Sequence, residues 1–112
     1  MADLPIGGEG NLNGTTAVTV LASPAADKQR IVPANGLSIY NADTVAHDII
    51  IRKKKASTSY VFWKESAVAA GTHKVLPKKV ILDATDELLE VLTDATATTT
   101  EPTYDIAALE TS

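Results

Sequence analysis

The chain has 112 residues, no Cys, two His, five aromatic residues and a net charge of −4. That length fits one domain with a modest core built mostly from Val, Ile, Leu and Ala. The missing Cys exclude a disulfide scaffold and any thiolate nucleophile or thiolate metal site, and the acidic balance argues against a general nucleic-acid binder.

Residues 1–14 (MADLPIGGEGNLNG) hold four of the six Gly and almost no periodicity. Ordering them costs conformational entropy with little apolar burial in return, so a flexible N-terminal arm is expected there. The segment also lacks the basic start and apolar stretch of a secretory leader, and no apolar run reaches the length of a membrane span, so neither export nor membrane association is expected. A β-domain is expected over 15–112. Thr15–Ala22 (TTAVTVLA) alternates β-branched residues, with Val18 and Val20 on one face and Thr19 and Leu21 on the other. After Ser23–Asp27, a short run from Gln29 ends at Pro33, and Asn35-Gly36 before LSIYN predicts a tight hairpin turn.

Ala46–Lys54 predicts a strand whose contiguous Ile49, Ile50 and Ile51 touch both faces, placing it between packed layers or at an interface. Tyr60–Glu65 predicts the next strand and carries three of the five aromatics. Short runs follow at His73–Leu76 and Lys79–Asp83. Asp86–Ala95 fits either a strand or a helix capped by Thr85, with a strand favoured and a hairpin to Val80–Asp83 expected across the acidic turn. Tyr104–Glu110 predicts a last strand. Seven or eight short strands at even spacing predict an all-β single domain, an antiparallel β-sandwich or barrel-like fold.

Chemistry-bearing residues do not gather. His47 and Asp48 are adjacent on a strand, so their side chains point to opposite faces and cannot form a dyad with each other. His47 reads as an ordinary strand residue. Two His without Cys make a thin metal set, and the acidic turn at Asp83, Asp86 and Glu87 lacks the spacing of a calcium loop. No nucleophile elbow, phosphate-binding loop or paired-carboxylate site is assembled. Neither catalysis nor a cofactor or metal is expected.

Charge is segregated. All ten Lys and Arg lie between Lys28 and Lys79, with Asp43, Asp48 and Glu65 as the acids in that interval, so it carries 10 − 3 = +7. Either the fold neutralises this internally, or one subunit's basic face meets another's acidic face. Arg52, Lys53, Lys54 and Lys55 form the densest run, read as a strand end kept soluble or as a docking patch.

The Gly-rich start, TTAVTVLASPA, QRIVPANGLSIYNAD, the basic strand, AAGTHKVLPKKVILDATDELLEVL and the closing YDIAALE together resemble small all-β structural proteins of tailed bacteriophages, often capsid decoration or cement proteins. The resemblance implies a virion protein on the outer capsid surface. It would be a homo-oligomer, with a trimer favoured, and would bind the major capsid protein to stabilise contacts between its subunits without catalysis. Leu4, Pro5 and Ile6 are then the expected arm anchor, Arg52 to Lys55 the docking patch, and Trp63 an interface candidate. A tail, neck or fibre adaptor is the alternative. A carbohydrate-binding module using Tyr60, Trp63 and Tyr104 is another.

Overall fold

The computed structural model describes residues 4–111. Ten strands follow one another: β1 (Leu4–Asn11), β2 (Val18–Leu21), β3 (Gln29–Val32), β4 (Leu37–Tyr40), β5 (His47–Lys55), β6 (Thr58–Val68), β7 (His73–Val75), β8 (Val80–Leu82), β9 (Glu87–Thr93) and β10 (Thr103–Thr111). The described residues include no helix, and the segment around Leu88–Leu92 is a strand. The accessible surface is 5782 Å², close to the ~5,900 Å² expected for a folded chain of this mass.

Two antiparallel sheets face each other. One has the order β2-β9-β5-β6. The other is organised around β10, which pairs along its whole length with β1 on one edge, and on its other edge pairs first with β4 and then with β3. β7 extends β4 and β8 extends β3. Thus β1-β10-β4-β7 lies against β2-β9-β5-β6, two four-stranded sheets in the order of a jelly roll, and β3 and β8 lengthen the first sheet at one end.

Alternation places the core between the layers. Val32, Leu37, Leu82, Leu89 and Val91 are fully buried, joined by Ile39, Ile49, Ile51, Val80 and Ile106. Ile49 and Ile51 point inward as alternating strand residues must, while Ile50 faces outward, half-buried, beside Leu92. In β2 a register shift between Thr19 and Leu21 breaks the expected alternation, so Val20 and Leu21 are both buried. A bulge of this kind adds a residue on one strand and redirects the side chains that follow.

Three sequence expectations are corrected. The segment expected as a flexible arm is strand β1 over Leu4–Asn11; Met1, Ala2 and Asp3 lie outside the described residues. β1 is exposed on most of both faces, and its cross-strand ladder to β10 supplies the order that side-chain burial does not. Leu12, at the end of this ladder, is buried and donates its backbone N–H to the Pro102 carbonyl.

The turn at Asn35-Gly36 forms, with Asn35 at φ 66° and the Gly36 N–H on the Pro33 carbonyl, but it makes no hairpin. β3 and β4 run in the same direction along β10, so the turn is a kink in one interrupted strand. Nor do β8 and β9 pair with each other. The Asp83–Asp86 connection crosses between the sheets, sending β8 to β3 and β9 to β5 and β2.

At Gly7 an added Cβ would sit 2.7 Å from the Ile106 carbonyl oxygen on β10. Gly7→Val is therefore expected to pull β1 off its neighbour and destabilise the protein by about 1–3 kcal/mol. Amide hydrogen exchange would show protection lost over β1 and at the alternate β10 amides that face it, while the β10 amides bonded to β4 and β3, and those of β5 and β9, stay protected; unchanged protection in β1 would contradict this account of its docking.

Candidate functional site

The sequence-derived candidates divide between two places. Leu4 and Pro5 are exposed and Ile6 is partly buried against the core, so the three do not form one anchor. Leu4 stands at the open edge of β1, whereas Pro5 falls in register with Leu109, Ile31 and Ile81 across β10, β3 and β8. The inward neighbours Ala108, Val32, Val80 and Leu82 are buried, so this row faces outward by alternation. Four apolar residues on four adjacent strands thus form an uncovered stripe, with Leu109 and Ile81 each 37% exposed.

The basic run lies at the far end of β5. Arg52 extends Nη2 to Glu90 Oε2 at 2.5 Å and Lys53 places Nζ 3.1 Å from Glu87 Oε2, both acids being nearly buried. The Arg52 Nε is buried without a hydrogen-bond partner. At Glu87, burial opposes ionisation, but the Asp83 amide N–H and the Lys53 ammonium outweigh it and hold the carboxyl down at about 2. These two cations are therefore spent on β9, and Lys54 and Lys55 make no ion pair among the described residues. Trp63 is partly buried against the core, with its indole N–H donated to Glu65 at 3.0 Å. Lys78 Nζ lies 4.5 Å from the Phe62 ring centre and 5.9 Å from that of Trp63, a cation–π arrangement. The aromatics left exposed near this edge strand reduce to Tyr60, with Val61 beside it.

Sequence reasoning missed the most heavily bonded polar group. His47 is buried at the start of β5, with Nε2 2.6 Å from Asp43 Oδ2 and Nδ1 3.2 Å from Asp94 Oδ1. A ring with a carboxylate at each nitrogen is suited to donate from both as an imidazolium. Asp43, also buried, accepts the backbone N–H groups of Thr44, Thr98, Thr99 and Thr100. Asn41 completes the corner, donating its amide to the Val45 and Val68 carbonyls and accepting the Asp43 N–H. The Thr-rich connection before β10, which has no ladder of its own, is thereby held by one carboxylate.

Each ionisation in this cluster supports the others. The hydrogen bond from His47 lowers Asp43 well below the usual carboxylate range; burial opposes this, and the Thr98, Thr99 and Thr44 amides reinforce it. For His47, burial disfavours the cation, but the bonds to Asp43 and Asp94 outweigh it and raise the imidazolium above its ordinary value. Asp94 is lowered because the His47 and Asp48 donors exceed the effect of burial. Among the described residues no group of three or more His, Cys, Asp or Glu could hold a metal ion.

A groove of about 400 Å³ opens on the outer face of β1-β10-β4-β7, near the end where β4 leaves for the His47 corner. Glu9 and Asp105 face one another across the β1–β10 ladder and share it with Asn11 and Thr103 one outward row further on. The Tyr40 and His73 rings, 4.7 Å apart and tilted by 38°, wall its other side.

The sign of the pH dependence follows from the directions of shift. The raised His47 contributes stability that is complete below its unfolded value of about 6.5 and is lost as pH rises through the folded value. The lowered Asp43 and Asp94 contribute stability that is complete above about 4 and is lost as pH falls through their folded values. Urea unfolding from pH 3 to 9 is expected to show a maximum between these limits. His47→Ala, which leaves Asp43 without its cation, should cost about 3 kcal/mol near neutrality and remove the alkaline decline; an alkaline limb that persists in the variant would assign it elsewhere.

No protein-family model matches the chain, and no curated protein matches it in sequence. Among solved structures, it is similar to one of Bacillus endospore appendages, which form disulfide-linked pili, at a TM-score of 0.50 and 12% identity, covering 97% of this chain and 85% of that one. It also matches a structure of the infectious bursal disease virus Gt strain (TM-score 0.43, 12% identity, 98% of this chain and 30% of that one). A third match is the virus-like particle of the giant freshwater prawn Macrobrachium rosenbergii extra small virus (0.42, 13%, 98% and 79%). At these identities the first likeness is one of fold alone, and the two lower scores carry no argument about function. What the chain shares with the appendage subunit is an all-β, antiparallel two-sheet architecture.

Proposed function

We propose that this chain is a non-catalytic virion structural protein, a decoration protein that seats on the outside of an assembled head and holds neighbouring major capsid protein subunits together. The observation that carries this reading is the outward stripe Pro5, Leu109, Ile31 and Ile81, an apolar row crossing four strands of a sheet whose other face already closes the core. A contiguous apolar row on an uncovered sheet face is suited to being covered by another protein. β1 supports it further, as an outer strand whose second edge offers unpaired backbone groups for ladder extension. Many copies on a regular shell convert individually weak contacts of this size into firm retention, because each further engagement is effectively intramolecular.

The sequence resemblance to small all-β structural proteins of tailed bacteriophages supports the shell as the partner, and the architecture supports a role in forming surfaces. Pro5→Glu, Leu109→Glu and Ile81→Glu alter exposed side chains and should leave the fold intact. Each is expected to weaken cosedimentation with purified heads by at least about tenfold. Retention equal to wild type in all three would sink the proposal. Quantitative mass spectrometry of particles adds the location: abundance comparable with the main shell protein fits decoration, whereas a single ring of copies fits a neck or tail adaptor.

A further inference from the structure

Two charged features that the fold leaves without partners lie towards opposite ends of the molecule. The chain leaves β4 at Tyr40 and re-enters as β5 at His47, so the groove beside Tyr40 is at the end where β5 begins. β5 then runs nine residues, about 27 Å at strand spacing, to Lys55 at the turn into β6. The longest dimension of the molecule is 45 Å. Lys54 and Lys55 therefore cannot reach the groove of their own chain.

At the groove end, Glu9 and Asp105 stand directly opposite each other on two neighbouring strands and project to the same side. Like charges in that relation repel, and neither carboxylate has an ion pair among the described residues. Tyr40 offers a ring to one flank. A concave site with two carboxylates and an aromatic wall suits an organic ammonium, attracted by charge and by the ring face. At the other end, Lys55 is exposed and Lys54 half-exposed, next to the uncovered Tyr60 and Val61 of β6. Arg52 and Lys53 are held by β9, so within this basic run Lys54 and Lys55 are the cations without an ion pair among the described residues.

Resting on the reading of this chain as an assembly subunit, we propose that copies join head to tail, the Lys54–Lys55 end of one docking its ammonium groups at the Glu9/Asp105 groove of the next. The two surfaces are different patches of one molecule, so the contact is heterologous. It propagates into a ring if the rotation closes and into a filament if it does not. The charge complementarity sets its orientation and makes it sensitive to salt.

The test is sedimentation velocity of the full chain over a concentration series, with three proteins: wild type, Lys54→Glu/Lys55→Glu, and Glu9→Lys/Asp105→Lys. Wild type is expected to associate at low ionic strength and to dissociate by about 0.5 M salt. Each charge-reversed variant should associate at least about tenfold more weakly alone, and an equimolar mixture of the two should recover association, since reversed tip then meets reversed groove. Wild type that stays monomeric throughout, variants that associate like wild type, or a mixture that remains apart would each overturn the proposal. Far-UV circular dichroism checks folding. If a reversal unfolds the protein, Lys54→Ser/Lys55→Ser and Glu9→Gln/Asp105→Asn replace it, with both expected to weaken association. Wild type that self-associates but does not bind heads would refute the decoration role and leave this contact standing; a monomer that binds heads would do the reverse.

Discussion

The hydrogen-bonded edges of β10 are the constraint on which this architecture depends. One nine-residue strand serves β1 along its full length on one side, and β4 and β3 in succession on the other. Because β4 and β3 occupy the same edge, the chain between them must step aside without reversing, and the kink at Pro33–Gly36 does this. The step allows β7 and β8 to extend the sheet at separate places, widening it beyond four strands. The same strand orients Ile106 and Ala108 inward and Leu109 outward, so it supplies both the core and the exposed apolar stripe. Its Asp105 contributes a carboxylate to the groove.

Much of the fold class was legible in the sequence, while the pairing was not. Enrichment in β-branched and aromatic residues marks β2, β5 and β6, because such side chains fit a half-buried pleated surface. Turn chemistry was equally readable: Asn35 does adopt a positive φ. A turn motif reports that the chain bends, however, and not which strand receives it, so the hairpins expected at Asn35-Gly36 and across Ala84–Glu87 were misassigned. The Gly-rich start misled for a different reason. Composition predicts what a segment can bury, and β1 buries little; its order comes from backbone groups that every residue other than Pro possesses in full.

The site followed the same division. The neutralisation of the basic interval was readable as a possibility from charge segregation, and the fold realises part of it through Arg30–Glu110, Arg52–Glu90 and Lys53–Glu87. Register places Arg52 opposite its partner Glu90 but Lys55 opposite Glu87, whose carboxylate takes Lys53 instead, so side-chain reach rather than register decides which lysine stays without an ion pair. The His47 cluster had no local signal: Asp94 is 47 residues away, and Asp43 belongs to an irregular loop whose path is set by the amides it binds. The adjacent Asp48, the visible neighbour, accepts from the Ala67 amide instead.

The pairing of β1 with β10 has a temporal side. A ribosome adding about 5–20 residues per second releases β1 many seconds before Thr103–Thr111 exists to receive it. During that interval the Gly-rich segment has no ladder, and the sheet it belongs to lacks its central strand. Closing so long a loop is entropically unfavourable and slow. A neighbouring chain whose β10 is complete but whose own β1 has not yet docked offers the same acceptor edge, so crowded synthesis opens a route to exchange of the first strand between nascent copies. An intertwined pair formed this way would keep the β1–β10 ladder, and its separation would require both first strands to detach from their acceptor edges.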